Sequence, residues 1–174
     1  MSAALAASPQ LSERSAEAND RAVPGHWEGD LLYGRGPGVV ATLVERHSRF
    51  VMLIGLPTSH RADVVAQALA AKITELPDQL RRSLTWDQGR EMAQHAAFTI
   101  ASGVPVYFCD PRSPWQRGTN ENTNGLLRQY LPRNTALGER GQADLDDIAA
   151  ELNGRPRQTL GWKTPSQALD RAMR

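Results

Sequence analysis

The order of strand-like and helix-like segments constrains the fold most strongly. Three apolar runs rich in β-branched and large residues come first, at 26–32, 39–45 and 50–56, and each has the length of an ordinary strand. A stretch rich in glycine and proline at 34–38 separates the first two, and a hairpin-length turn separates the second and third. Short connections join antiparallel neighbours, so the beginning of the chain predicts a three-stranded antiparallel meander.

Helices and strands then alternate along the chain. Apolar residues at helical spacing predict a helix over 61–76, and a strand is predicted at 83–87. An alanine-rich helix over 91–102 and a further strand at 104–109 follow. Strands connected through a helix run parallel to their neighbours. The predicted fold is therefore α/β, with a five-stranded mixed sheet (three antiparallel strands, then two parallel ones) flanked by helices.

Helices predominate after the fifth strand. Asn120 can cap a helix that runs to Leu131 and stops at Pro132. The next helix is indicated by apolar residues at helical spacing, Leu145, Ile148 and Leu152. A final helix is predicted to begin at 164–167, where the sequence TPSQ has the residue types of a capping box and a proline at the first helical position.

Composition restricts the class of protein. The 174 residues are enough for one domain with a core. Residues 1–110 carry 10 basic and 12 acidic side chains, whereas 111–174 carry 10 basic and 7 acidic ones. Arginine supplies most of the basic charge in the second part, which suits bidentate phosphate contacts. An ordinary solvated surface explains the same charge equally well.

The chain has neither the cysteines of a disulfide-stabilised protein nor an apolar run of membrane-spanning length. Cys109 is the only cysteine, which excludes an intramolecular disulfide and indicates a reducing compartment. Residues 1–24 are rich in Ala, Ser, Glu and Arg and have no continuous apolar segment, so they do not resemble a signal peptide. We expect 1–24 to be a flexible linker or tail and 25–174 to be the folded domain.

Three carboxylates occupy the ends of predicted elements. Asp30 and Asp87 come near the ends of strands that are adjacent if the fourth strand lies beside the first, and Glu121 lies in the first turn of a helix. Each has an ordinary alternative role. The aspartates can bond to backbone amides at strand ends or turns, and the glutamate can simply interact with the helix dipole.

The combination of these acids points to a divalent metal site. Converging carboxylates repel one another unless a cation neutralises them. Magnesium needs only one or two protein carboxylates together with phosphate oxygens, and a pair of ions about 4 Å apart is typical of phosphodiester chemistry. The four histidines are scattered and do not form a zinc-type cluster. Glu28 lies on the same strand face as Asp30, which makes it the acid most easily mistaken for the site residue.

Several linked motifs resemble those of the DDE transposase and integrase catalytic core, most closely bacterial transposases of the insertion-sequence-thirty family. The motifs are GHWEGD at 25–30, TLVER at 42–46, LTWDQGRE at 84–91, SPWQRGTNEN at 113–122, NGRPR at 153–157, TLG at 159–161 and TP at 164–165. The resemblance covers most of the chain, about 20–169, and implies an RNase H-like fold. It also implies that Asp30, Asp87 and Glu121 are the catalytic and metal-binding triad.

The resemblance implies a reaction as well as a fold. Two Mg²⁺ or Mn²⁺ ions would support hydrolysis of a phosphodiester at a transposon end and attack of the freed 3′-hydroxyl on target DNA. Arg128, seven residues after Glu121, would contact DNA near the cleaved bond. The family carries N-terminal helix-turn-helix regions before this core, whereas 24 residues precede Gly25 here, so we expect those regions to be absent from this chain.

Further residues are predicted to contact DNA or support the triad. Trp115 lies in a loop rich in proline and glycine and can stack on an unpaired base, although a half-buried loop anchor is an equal alternative. The predicted DNA contacts are Arg112, Trp115, Arg117, Asn124, Arg128, Arg155 and Arg157. Glu91 is expected either to hydrogen bond behind Asp87 or to place a charge at a helix start.

Two other functions remain open from the sequence. The chain can be a truncated, non-catalytic DNA-binding or dimerising regulator of a full-length transposase, because the end-recognition regions are not present. An RNase H-like nuclease such as a junction resolvase is a weaker alternative, since the loop at 113–122 does not suit it. We expect a homo-oligomer that acts on transposon ends and target DNA, has no membrane association, and is located in the bacterial cytoplasm with the nucleoid.

Overall fold

The computed structural model describes residues 21–86, 92–109 and 118–174, with described side chains in the last range from Asn122 onward. The predicted tail at 1–24 therefore lies almost entirely outside the described residues. Among the residues that are described, no helix is long and apolar enough to cross a membrane.

The first three strands form the predicted antiparallel meander. Strand β1 comprises His26–Tyr33, β2 comprises Val39–Glu45 and β3 comprises Val51–Leu56. Strand β1 pairs with β2, and β2 pairs with β3, both antiparallel. All seven residues of β2 are buried, because helices cover both faces of this central strand.

The turn between β2 and β3 depends on a buried acid. The carboxylate of Glu45 accepts hydrogen bonds from the backbone nitrogens of Gly25, His47 and Ser48 at 2.7 to 3.1 Å and from the Ser48 hydroxyl at 2.5 Å. Arg49 then adopts a left-handed backbone with φ 65°. A side-chain cap thus replaces the glycine or asparagine that usually forms such a turn.

Two parallel strands complete the sheet. Helix α1, Ala62–Ile73, leads to strand β4, Ser83–Trp86. Helix α2, His95–Ser102, leads to strand β5, Val106–Phe108. The sheet order is β3-β2-β1-β4-β5, with β1 parallel to β4 and β4 parallel to β5. This is the order that the alternation of elements predicts, with the fourth strand beside the first.

In the part of the chain that the structure describes, three helices follow the sheet. They are α3 at Gly118–Leu127, α4 at Gln142–Asn153 and α5 at Pro165–Ala172. Helix α5 has the predicted capping box, in which the Thr164 side chain accepts a hydrogen bond from the Gln167 backbone and the Gln167 side chain accepts one from the Thr164 backbone. Short 3₁₀ helices occur at Asp78–Leu80, Leu137–Glu139 and Gln158–Leu160.

The predicted starts of two helices are wrong. Helix α2 begins at His95 rather than at residue 91; Gln94 makes no side-chain capping bond, so alanine content alone did not locate the start. Helix α3 begins at Gly118, which places Asn120 inside the helix instead of at its cap. It also ends early, at Leu127, because Gln129 and Tyr130 bond to the carbonyls three residues back and tighten the chain into turns.

The sheet separates two apolar clusters. Odd-numbered residues of β1, including Trp27 and Leu31, face the cluster that contains α1 and α2. Leu32 faces the other cluster, which includes Leu127 of α3 and Leu145 of α4. Because side chains alternate along a strand, His26, Glu28 and Asp30 lie on the α3 and α4 side. The polar residues of β1 are therefore gathered on one face of the sheet.

Candidate active site

Asp30 lies on the α3 face of β1, three residues before the strand ends, and it is half-buried. Its Oδ1 accepts a hydrogen bond from the backbone nitrogen of Leu31 at 2.8 Å. Its Oδ2 accepts one from the Asn124 side-chain nitrogen at 2.9 Å. Two bonds to two different oxygens fix the plane of the carboxylate, so its remaining lone pairs have a defined direction.

Helix α3 brings Asn124 to this position. Leu127 of the helix is fully buried in the second apolar cluster, and Leu126 and Tyr130 pack against that cluster. These three residues share one side of a helical wheel, so their spacing alone predicts this to be the apolar side. With that side held against the sheet, Asn124 is directed toward Asp30, 94 residues earlier in the chain. The predicted contact of Asn124 with DNA remains a prediction; in the structure its side chain donates to the Asp30 carboxylate.

Glu28 is engaged elsewhere. It is fully buried, and Arg46 Nη1 donates a hydrogen bond to its Oε1 at 2.7 Å. Burial lowers the pKa of Arg46, and the neighbouring Glu28 opposes that shift. A buried, paired carboxylate has little capacity for a metal or a substrate. The structure therefore separates the two acids on this face, and Asp30 is the more accessible one.

Arg128 follows α3 and lies near Asp30. Its Nη1 donates to the Tyr33 carbonyl at 2.9 Å and to the Leu131 carbonyl at 3.3 Å. Burial lowers its pKa, as does Arg133, whereas the negative charge of Asp30 raises it. The guanidinium thus holds the end of β1 against the turn after α3, and it adds positive charge beside Asp30.

The other two described arginines predicted to contact DNA have different surroundings. Arg155 bonds to the Tyr130 hydroxyl, lies over the Tyr130 ring at 5.4 Å from the centroid, and forms an ion pair with Glu151 at 3.2 Å. Arg157 is half-buried, and burial lowers its pKa. Burial lowers the pKa of Arg49, and the positive charge of Arg157 adds to that lowering. Their contacts with DNA remain predictions.

Several predicted site residues lie outside the described residues. These are Asp87, Glu91, Arg112, Trp115 and Arg117, together with the side chain of Glu121. Strand β4 is described as far as Trp86, directly before Asp87. Within the described ranges, no three carboxylate, imidazole or thiol groups lie close enough to hold a metal ion. Asp30 supplies hard oxygen donors, which are the ligands that Mg²⁺ and Mn²⁺ prefer.

The sequence reasoning missed three features around the site. Arg46, the partner of Glu28, had no assigned role, although its position directly after β2 is a signal that it is near β1. The buried cap formed by Glu45 was missed because the turn lacks glycine. Trp162 was also missed, and it is 67% exposed.

Comparison with known proteins agrees with the fold and gives the family of the chain. The family model for the integrase core domain matches residues 20–114. The chain belongs to the integrase core domain family. Its mixed sheet, with β1 beside β4, is the RNase H-like arrangement that the resemblance implies.

Individual relatives extend the similarity to nearly the whole chain. The transposase InsI for insertion sequence element IS30A of Escherichia coli is 52% identical over 94% of this chain and 42% of its own length. The transposase for insertion sequence element IS1086 of Cupriavidus metallidurans is 57% identical over 90% of this chain and 46% of its own length. A probable transposase for element IS1161 of Streptococcus salivarius is 34% identical over 92% of this chain. The chain thus spans less than half the length of these curated relatives.

Proposed function

We propose that this chain is a transposase catalytic core that cleaves DNA and transfers the cut strand by metal-dependent phosphoryl transfer, with Asp30, Asp87 and Glu121 as its metal-binding triad. The observation that carries the proposal is the fixed, half-buried Asp30 carboxylate between β1 and α3. Membership of the integrase core domain family supports the reaction class.

The register of the sheet supports the role of Asp87. The parallel pairs of β1 and β4 are His26 with Ser83, Trp27 with Leu84 and Glu28 with Thr85, and the two members of each pair differ by 57 in number. Asp30 and Asp87 differ by the same amount. A continuation of this register would make them neighbours on adjacent strands, about 5 Å apart across the sheet.

Helical spacing supports the role of Glu121. It is three residues before Asn124 on the same helix, and residues three apart lie on one helix face. Since Asn124 bonds to Asp30, the Glu121 position belongs to the face that is directed toward β1. Three acids on three different elements would then share one site.

The residues have separate roles in the proposed reaction. Asp30, Asp87 and Glu121 would hold one or two Mg²⁺ or Mn²⁺ ions, which stabilise charge on the phosphate in an in-line displacement. Asn124 holds the Asp30 carboxylate in one orientation, and Arg128 keeps positive charge beside it. Glu91 would place a charge or hydrogen bond behind Asp87.

The partners in the proposal are transposon-end and target DNA. The residues proposed to contact them are Arg112, Trp115, Arg117, Asn124, Arg128, Arg155 and Arg157. Asn124 already bonds to Asp30, and Arg128 already bonds to the Tyr33 carbonyl. Any contact of these two side chains with DNA would be made in addition to those hydrogen bonds. We also propose that the chain forms a homo-oligomer and is located with the bacterial nucleoid.

The test is cleavage and joining of DNA by the 174-residue chain. A supercoiled plasmid and a linear duplex are incubated with the chain in Mg²⁺, Mn²⁺ or EDTA. We expect nicked and joined products only with a divalent ion, and loss of both in Asp87→Asn. Asp63→Asn is the control, because Asp63 is an exposed aspartate at the start of α1.

Each result separates the proposal from its alternatives. Unchanged activity in Asp87→Asn would reject the triad. DNA binding without cleavage in either metal would favour a non-catalytic regulator. Preference for four-way junctions over linear DNA would favour a resolvase.

A further inference from the structure

One exposed aromatic residue lies in an unusually constrained loop. Trp162 belongs to the segment 157–163, named here the Trp162 loop, and its side chain is 67% exposed. Tryptophan side chains with this much solvent exposure are uncommon, because tryptophan has a large apolar surface to bury. The position of Trp162 therefore requires an explanation in terms of what it contacts.

The backbone of the Trp162 loop is held in one conformation. Arg157 N bonds to Lys163 O at 3.0 Å, and Trp162 N bonds back to Arg157 O at 2.9 Å. Three further backbone bonds, at 3.0 to 3.3 Å, close the turn between these ends. Directly after the loop, Thr164 caps helix α5. Backbone hydrogen bonds thus join the two ends of the loop, and the helix cap follows directly.

The tip has a strained backbone. Gly161 has φ 61° and Trp162 has φ 67°, so two successive residues are left-handed. A bulky residue in this region is an outlier that costs about 1 kcal/mol or more. Glycine would adopt the same φ at lower cost. Strain of this kind, retained at an exposed aromatic residue, points to a ligand rather than to packing.

Basic side chains lie in and beside the loop. A cleft of about 470 Å³ is lined by Lys163 from the loop, Arg171 from α5 and His47 from the β2–β3 turn, together with the apolar residues Leu160, Ala168 and Ala172. None of the described residues that line the cleft is acidic. Half-buried Arg157, at the start of the loop, lies near Arg49. Lys163, Arg171, Arg157 and Arg49 are named here the basic border.

The basic border is on the same side of the sheet as the candidate active site. Arg171 of the cleft belongs to α5, which contacts α4. Helix α4 packs on the face of the sheet that carries Asp30. DNA bound at the border can therefore extend toward Asp30 without crossing the sheet.

We infer that the Trp162 loop is a nucleotide-binding platform for DNA with an unpaired base, which stacks on Trp162 while Lys163 and Arg171 hold the adjoining phosphates. An indole flanked by cations suits this ligand, because bases stack on aromatic faces in sequence-independent sites and phosphates bind the surrounding charge. No acidic side chain is among the described residues that line the cleft, which suits a polyanionic ligand. The inference rests on the proposed DNA function, but it concerns a site separate from the triad.

The test measures DNA binding by fluorescence anisotropy in EDTA, so that no cleavage can occur. Single-stranded DNA, a duplex with a short single-stranded overhang and a blunt duplex are compared. Trp162→Ala should weaken binding to the first two by roughly 5- to 100-fold, the effect of losing one base–aromatic stack. Binding to the blunt duplex should change by less than about 3-fold. Trp162→Phe should recover most of the loss.

The matched control for Trp162 is Ile100→Ala. Ile100 is 87% exposed and lies on α2, which packs on the opposite face of the sheet. The double change of Lys163 and Arg171 to alanine should weaken binding of all three DNAs and reduce the salt slope by roughly 1.4 to 1.8. In the unaltered chain, 2-aminopurine at the unpaired position should lose fluorescence on binding, which reports stacking without any substitution.

Three results would overturn the inference. They are equal DNA affinities for Trp162→Ala and Ile100→Ala, an absence of 2-aminopurine quenching at every overhang position, and an effect of Trp162→Ala on self-association alone. Because binding is measured without metal, the stacking inference can hold for a chain that never cleaves DNA. Likewise, a chain that cleaves DNA normally can lack stacking at Trp162, so the two proposals fail independently.

Discussion

The Asn124 side chain donates a hydrogen bond to Oδ2 of Asp30 over 2.9 Å and joins helix α3 to strand β1 at the candidate active site. Two residues 94 positions apart in the chain thus set the orientation of one carboxylate. Partners of this kind hold a metal ligand in place, and their loss typically lowers activity or metal affinity 10- to 100-fold.

Replacement of Asn124 tests this positioning role. We expect Asn124→Ala to lower the rate of Mg²⁺-dependent DNA cleavage about 10- to 100-fold with little change in thermal stability. Asn122→Ala is the control, because Asn122 is the same residue type on the same helix and is exposed. Equal cleavage rates for the two variants would show that the hydrogen bond to Asp30 has no functional effect.

The buried Glu28–Arg46 pair is expected to contribute to stability. Glu28→Gln removes the carboxylate that accepts a hydrogen bond from buried Arg46, and breaking such a pair costs about 3 kcal/mol. A double change to Glu28→Leu and Arg46→Met should lose less, since neither charge of the pair remains. Urea unfolding measures each free energy. Asp63→Ala disrupts the exposed Arg61–Asp63 pair and should cost less than about 1 kcal/mol.

Gly29 permits a close contact between β1 and β4. A methyl group added there would lie 2.3 Å from the Trp86 ring, so Gly29→Ala should destabilise the fold by roughly 2 kcal/mol or more. Gly125→Ala is the matched control, because nothing lies within 4 Å of the added atom and the residue is helical. The control should gain up to about 1 kcal/mol. Similar unfolding midpoints for both variants would contradict the packing of Trp86 on Gly29.

The Tyr130–Glu151–Arg155 contact makes stability depend on pH. The hydrogen bond from Tyr130, and then that from Arg155, lowers the pKa of Glu151 below its ordinary value near 4.5. A carboxyl with a lowered pKa stabilises the folded state above the ordinary value, and this contribution disappears as pH falls through the folded value.

Thermal unfolding between pH 3 and pH 7 measures this dependence. Glu151→Gln should be less stable than the unaltered chain at pH 7, and the difference should shrink as the solution is acidified. Tyr130→Phe should remove part of the same dependence, since its hydroxyl is the strongest cause of the shift. A constant difference at every pH would contradict the lowered pKa.

The sequence predicted the sheet well because its signals are local. Apolar runs, short turns and helical crossovers determine which strands are neighbours, and β1 lies beside β4 as the element order predicts. The apolar side of α3 was predicted for the same reason, since Leu127 falls on the buried face of a helical wheel. The start of α3 was predicted wrongly, because Asn120 has the residue type of a cap but lies two residues inside the observed helix.

The details of the site depend on contacts between residues far apart in the chain. Nothing in the segment around Asn124 indicates that its amide bonds to Asp30. Likewise, the choice between Glu28 and Asp30 follows from Arg46, which is 18 residues from Glu28 and approaches it only in the folded sheet. The exposure of Trp162 results from the backbone bonds of its loop. A tryptophan in a sequence is ordinarily expected to be buried.

The most direct test of the account is metal rescue at the triad. Asp30→Cys and Asp87→Cys replace a hard oxygen ligand with a sulfur, which binds Mg²⁺ poorly and softer ions such as Mn²⁺ or Cd²⁺ better. We predict that both variants lose DNA cleavage in Mg²⁺ and regain part of it in Mn²⁺ or Cd²⁺, whereas Asp63→Cys behaves as the unaltered chain in every metal. Full activity of either triad variant in Mg²⁺, or inactivity in all three metals while DNA binding is retained, would contradict the assignment of Asp30 and Asp87 as metal ligands.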